Sequence, residues 1–223
     1  MNVQHVIDNL GLAPHPEGGY YRRTYQCERM LTPQEMPCCF DQPRPVSTAI
    51  FFLLRAGQYS RLHRIRQDEL WHFHLGGPLR LVWIERGGQA REIIMGPDIL
   101  NGHVLQCVVP GGCWFGATPA PGADFSLVGC TVAPGFDFSD LRLGQRSDLE
   151  NRYPLALDCI REFCPCGPLV EPRTPNTCGC ASDDARSRSL PHGQDALDMC
   201  GCIEASNSCH AQKCVAPREG DPA

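Results

Sequence analysis

The stretch GQYSRLHRIRQDELWHFHLG, residues 57–76, decides how this chain is read. Its spacing is G-x5-H-x-I-x3-E-x6-G, set by Gly57, His63, Ile65, Glu69 and Gly76. One imidazole and one carboxylate stand among aliphatic and aromatic neighbours, with glycines at both ends. Side chains of an extended strand alternate between faces. Glu69, Trp71 and Phe73 therefore share one face, and Leu70, His72 and His74 share the other.

Around this stretch the pattern is that of short strands. Runs at 49–54, 70–75, 79–85, 90–95, 104–109 and 125–132 are rich in branched and aromatic residues and are separated by Gly or Pro turns. Such spacing predicts an all-β sandwich or barrel rather than an α/β sheet. Upstream, Val3, Val6, Ile7 and Leu10 recur at helical spacing, and Gly11 stands where a helix stop belongs. The tract HPEGG at 15–19 then breaks regular structure before a tyrosine-rich strand around 20–25. Residues 28–46, with Pro33, Pro37, Pro43 and Pro45, read as a surface loop. A strand end and a short helix are expected within 141–153.

The bulk numbers exclude some classes of function. A net charge of −5 and a single lysine, Lys213, give no electrostatic footprint for nucleic acid. No apolar run approaches membrane-spanning length, and MNVQHVIDNL lacks the basic-then-apolar pattern of a secretory signal. The expectation is a cytoplasmic protein with neither nucleic acid nor membrane as partner. After Asp158 aliphatic periodicity fails, and Pro, Gly, Ser, Asp and nine of the fifteen cysteines take over. Such a segment cannot bury enough apolar surface to offset its ordering entropy. Two regions are thus expected: a β-barrel domain over 1–158 and a mostly disordered Cys-rich extension over 159–223. The pairs Cys164/Cys166, Cys178/Cys180 and Cys200/Cys202 are spaced C-x-C, tighter than zinc modules prefer. Soft-metal binding and oxidation to disulfides stay open for them.

Four stretches together, PHPEGGYYRRTY, SRLHRIRQDELWHFHLG, VVPGGCWFGA and GCTVAPGFDF, carry a family resemblance over about residues 2–155. The chain resembles the cupin superfamily, in its type-5 branch, a domain of unknown function. The resemblance implies a double-stranded β-helix, or jelly roll, paired as a homodimer, with Glu69 pointing inward and a ligand site in the barrel. It implies no established activity. The usual cupin metal ligands are two histidines and a glutamate from the first motif and a histidine from the second. Here Ile65 replaces one histidine and Phe115 the other, so no metal and no other cofactor is expected.

The functional expectation follows from what survives. His63 and Glu69 form a proton-handling pair in the barrel, with Trp71 and Phe73 as walls. His63 stands where the nucleotide-sugar 3,5-epimerases of the same superfamily carry a histidine base. Glu17, Tyr20, Arg22, His74 and Gln106 are further candidates for ligand contact. Cys107, Cys113 and Cys130 read as small buried apolar residues. The reading is a small-molecule-binding protein with isomerase- or epimerase-like chemistry on a carbohydrate or nucleotide-linked ligand. A non-catalytic sensory or ligand-binding barrel is the alternative, ahead of a metal-dependent oxygenase.

Overall fold

Branched and aromatic residues alternate with smaller or polar ones along most of the chain, and that alternation builds two antiparallel sheets. The computed structural model describes residues 1–37 and 40–164. One sheet has six strands: β1 (Ala13–Pro14), β2 (Tyr20–Gln26), β5 (Thr48–Arg55), β12 (Phe125–Val132), β7 (Glu69–Gly76) and β10 (Gln106–Val109), in that spatial order. The other has five: β13 (Arg142–Leu143), β6 (Ser60–Arg64), β11 (Trp114–Pro119), β8 (Leu79–Ile84) and β9 (Ala90–Met95). A small hairpin, β3 (Met30–Leu31) with β4 (Arg44–Pro45), stands apart. The jelly-roll arrangement expected from the family resemblance is what the chain forms.

Three apolar clusters hold the layers together. Between the sheets, Phe52, Leu54, Ile65, Trp71, Leu81, Met95, Phe115 and Val128 pack as the main core. Helix α1 (Val3–Leu10) covers the outer face of the six-stranded sheet, setting Val6 and Ile7 on Leu53, Phe125 and Leu127. Asn2 caps its start through its side chain, and Gly11, at φ 59°, ends it in the left-handed conformation. Helices α2 (Arg146–Arg152) and α3 (Leu157–Phe163) cover the other sheet, where Leu149, Ile160 and Phe163 pack on Leu62, Val82 and Trp114. Among the described residues no helix is long and apolar enough to cross a membrane.

Three expectations need correction. Strands β6 and β11 lie outside the expected runs, because SRLHR is mostly polar and in WFGATP the strand formers are interrupted by Gly116 and Ala117 and end on Pro119. Pairing of β11 with β6 and β8 holds them. Residues 28–46 are not simply a surface loop: Met36, Phe40 and Arg44 are buried, and Arg44 is bound to Asp140. The folded body also runs past residue 158. Ile160, Phe163 and Cys164 are buried against the barrel, because α3 supplies an apolar face where sequence periodicity is too short to register. The expectation for the remaining extension falls outside the described residues.

Candidate functional site

The two sheets leave a cavity that opens to solvent; the empty space inside it and in front of its mouth together comes to about 530 Å³. Its apolar walls include Ile50, Phe52, Ile65, Trp71, Val132, Phe136 and Leu141, and its polar lining includes His15, Glu17, Tyr21, Arg23, Thr48, His63, Glu69 and Cys130. The residues facing inward follow from register. Across the six-stranded sheet Arg23 pairs with Ile50, Ile50 with Cys130 and Cys130 with Trp71. One row further along, Thr48 pairs with Val132 and Val132 with Glu69.

Glu17 reaches the cavity through a tight turn. Gly18 and Gly19 have φ of 113° and 72°, a region open to glycine and strained for other residues. A side chain at Gly18 would also run into the Tyr59 carbonyl. The turn is fastened to β6: the Arg61 N–H donates to the Glu17 carbonyl at 2.8 Å. Two residues further along β6, His63 is only 2% exposed, and its Nε2 lies 3.1 Å from Glu17 Oε2. The Ser60 hydroxyl donates to Glu17 Oε1 at 3.0 Å. His15 Nδ1 lies 3.4 Å from Glu17 Oε2.

These contacts fix where the protons are. His63 Nδ1 is 2.7 Å from the Arg61 carbonyl. A carbonyl only accepts, so Nδ1 carries the hydrogen and Nε2 presents its lone pair to Glu17. Two lone pairs facing each other at 3.1 Å would repel, so one proton lies between Oε2 and Nε2. Burial pushes the His63 imidazolium down to about 3. Burial, and then the charge of Glu69, hold the Glu17 carboxyl well above its ordinary range. The pair is a carboxylic acid donating to a neutral imidazole. Burial likewise raises Glu69 to about 7, partly offset by a hydrogen bond from the Cys130 thiol. His15 is lowered to about 4, again by burial.

The expected pairing of His63 with Glu69 therefore needs correction. The two line one cavity but come from facing sheets, and among the described residues no hydrogen bond joins them. The partner of His63 is Glu17, because the turn carrying Glu17 is fastened to the same strand. Trp71 also lines the cavity, whereas Phe73 packs on the main core beside it. Tyr20 and Arg22 point the other way. Tyr20 pairs with Leu53 and packs in the α1 cluster, and Arg22 is exposed beside Gly11. Tyr21 and Arg23 are the inward members of that strand.

His74 and Gln106 are corrected as well. His74 lies over Gly129 on the outer face, edge-on to Phe51 at 5.7 Å. A bulge between Leu127 and Val128 interrupts pairing at His74 without turning its ring inward. Gln106 is exposed and lies opposite His72. Sequence reasoning missed His15, whose signal was its alternation with Glu17 ahead of two glycines. It also read Cys130 only as apolar filling, although that thiol faces Glu69 in the cavity.

The donor set does not fit the metal centre common in cupins. Both His63 ring nitrogens are already directed at protein oxygens. Ile65 offers only hydrocarbon, and the Phe115 ring lies 4.0 Å from the His63 ring where a second-motif histidine would stand. Among the described residues no three His, Cys, Asp or Glu side chains gather in an arrangement that could hold a metal ion.

Residues 4–144 match the family model described as Cupin superfamily (DUF985). Among curated proteins, the uncharacterized protein YML079W of Saccharomyces cerevisiae is 28% identical over 139 residues, covering 56% of this chain and 64% of that one. Two solved structures match more fully. A hypothetical protein from Leishmania major has TM-score 0.67 and 32% identity, over 74% of this chain and 99% of its own. Protein SO0799 from Shewanella oneidensis has TM-score 0.65 and 36% identity, over 74% and 98%.

Proposed function

Since the chain belongs to the Cupin superfamily family DUF985, we propose that its barrel cavity binds and acts on a small carbonyl-bearing molecule. The ligand is of the carbohydrate or nucleotide-linked class, and the reaction is an isomerase- or epimerase-like proton transfer. One observation carries this reading: a single proton held between Glu17 and His63 faces the same cavity as a second carboxyl, Glu69, that is half-ionised near neutrality. Groups pushed to different proton affinities in one site can act as base and acid in turn.

Glu69 as carboxylate takes a proton from a carbon beside the carbonyl, and the C–H electron pair moves onto the carbonyl oxygen. The Glu17–His63 pair returns a proton to the opposite face of that carbon for an epimer, and solvent then reloads Glu17 and unloads Glu69 through the open mouth. For an isomer it protonates the carbonyl oxygen to an enediol and takes back the proton of the neighbouring hydroxyl, and Glu69 delivers its proton to the former carbonyl carbon. The apolar walls keep water off the enolate and strengthen both hydrogen bonds.

The alternative reading, a binding or sensory barrel, has its own support. Both Glu17 oxygens are already engaged, by Ser60 and by His63, as in a pair that only orders the site. Deuterium exchange separates the two. The full chain in D2O with a panel of aldoses, ketoses and their nucleotide conjugates should place deuterium beside the carbonyl of one member. That rate should rise with pH through about 7 and vanish in Glu69→Gln. A panel member that binds in the cavity and exchanges no faster than in buffer establishes the binding-only reading.

A further inference from the structure

One cavity-lining donor has nothing to bond. Trp71 is 1% exposed, and its indole Nε1 finds no acceptor. No other residue lining the cavity has such an orphaned side-chain atom among the described residues. Its ring is held edge-on by Phe52 at 5.9 Å and Phe115 at 6.2 Å, so packing fixes the indole rather than leaving it to search for a partner. Buried donors are almost always satisfied, because leaving one unpaired forfeits its hydration with no return. Among the residues lining the cavity this indole is the donor left over, so an acceptor brought into the cavity and seated closely against the ring is what could meet it.

The strand rows say what else that molecule meets. Arg23, Ile50, Cys130 and Trp71 lie on one cross-strand row, so Arg23 and Trp71 are three strand steps apart, about 14 Å between backbones. Arg23 is exposed and lines the same cavity; its Nη1 donates to Gln26 Oε1, and Asp137 stands close enough to feel its charge. It is the one cationic side chain in the lining, whereas Trp71 is a deep, neutral donor.

We propose that Trp71 Nε1 is the buried anchor of the ligand site: it donates to a carbonyl oxygen of an anionic carbonyl compound whose charged end rests on Arg23 at the mouth. This rests on the cavity being a small-molecule site. It narrows the ligand to molecules with an uncharged oxygen at one end and a phosphate or carboxylate at the other. Glu69, two residues before Trp71 on the same inward face, then stands beside the polarised carbonyl.

The test uses the full chain labelled uniformly with nitrogen-15, so that backbone N–H signals of the cavity residues are read beside the indoles. Trp71, Trp83 and Trp114 give three indole N–H signals, and Trp71→Phe assigns one of them. The probes are fructose 6-phosphate and 2-oxoglutarate, each beside its uncharged counterpart, fructose and dimethyl 2-oxoglutarate. The expected result is a downfield move of the Trp71 signal with one charged probe, which also tells phosphate from carboxylate. Arg23→Gln should bring that probe down to the affinity of its neutral counterpart, and Trp71→Phe should weaken it about tenfold. The indole signal is read in the unaltered chain, so the outcome does not depend on the variant folding. A probe that shifts other cavity signals while the Trp71 signal stays put overturns the anchor and leaves the cavity reading standing. Probes that shift no cavity signal at all overturn both.

Discussion

Two regions of this barrel bury carboxylates, and they treat them in opposite ways. At one, Asp140 receives two bonds from Arg44, Nε to Oδ2 and Nη2 to Oδ1, both 2.8 Å, and a third from Gln67 at 3.0 Å. At the other, Glu17 and Glu69 line a cavity, and among the described residues neither pairs with an arginine or lysine. A buried charge matched by a fork of donors persists for structural reasons. Buried acids left without a cation hold their protons to higher pH and cost stability once ionised, so the fold alone gives no reason to keep them. The contrast separates a clamp from a site. Asp140 is followed directly by Leu141, which lines the cavity, so the clamp adjoins the cavity wall along the chain.

The largest expected effect tests the clamp. Asp140→Ala leaves the Arg44 guanidinium buried and unmatched, and unfolding in urea should show a loss of about 3–5 kcal/mol. Replacing both partners by apolar residues, Arg44→Met with Asp140→Leu, should recover part of it, because the buried guanidinium is gone while Arg66 and Gln67 still lose their contacts with the Asp140 carboxylate. If Asp140→Ala costs less than about 1 kcal/mol, the pair is no clamp and the contrast with the cavity collapses.

The next effect tests the cavity. Glu69 ionises at about 7 in the folded chain and near 4.5 when unfolded. Between those values the folded chain holds a proton that the unfolded chain has released, so this group lowers stability as pH rises through that window. The fall levels off above about 7. Its size is about 3 kcal/mol at about 1.4 kcal/mol per unit. Glu69→Gln should therefore be more stable than the parent by about that amount at pH 8, and no more stable at pH 4. His63 and His15 act with the opposite sign. They stay neutral in the fold down to about 3 and about 4, against 6.5 unfolded, so stability rises with pH on the acid side. Thermal melts of parent and variant from pH 4 to 8 check both limbs. Parallel curves across that range would mean that Glu69 is not held neutral.

What could be read before folding divides along the same line. Helix α1 and seven of the strands follow from local sequence pattern, and the joint presence of His63 and Glu69 in one cavity follows from motif spacing. The pairing inside the cavity does not, since it depends on a glycine turn fastened to a strand more than forty residues away in sequence, with Arg61 donating to Glu17. The clamp joins Arg44 to a residue 96 positions later, and no local pattern records that. Strand β2 is the instructive failure. YYRRTY repeats tyrosine and arginine on both faces, so alternation shows that the faces differ without showing which one is inward. Pairing of Tyr21 with Phe52, a core residue, decides it.

The smallest expected effects sharpen the contrast from outside. His74 and Gln106 are polar residues on strands β7 and β10 that flank inward ones, yet both are exposed on the outer face. Neither holds a buried charge or satisfies a buried group, so substitution has little to remove. Gln106→Ala should change unfolding free energy by less than about 0.5 kcal/mol, and His74→Ala only slightly more through its edge contact with Phe51. Neither should alter binding or exchange in the cavity, whereas Glu17→Gln, a change of one atom on the inner side, should abolish exchange by removing the shared proton. Binding isotherms and exchange rates of the three variants measured together make the comparison. An outer-face variant that behaves like Glu17→Gln would move the site to the other side of the sheet, because the alternation of β7 leaves no third place for it.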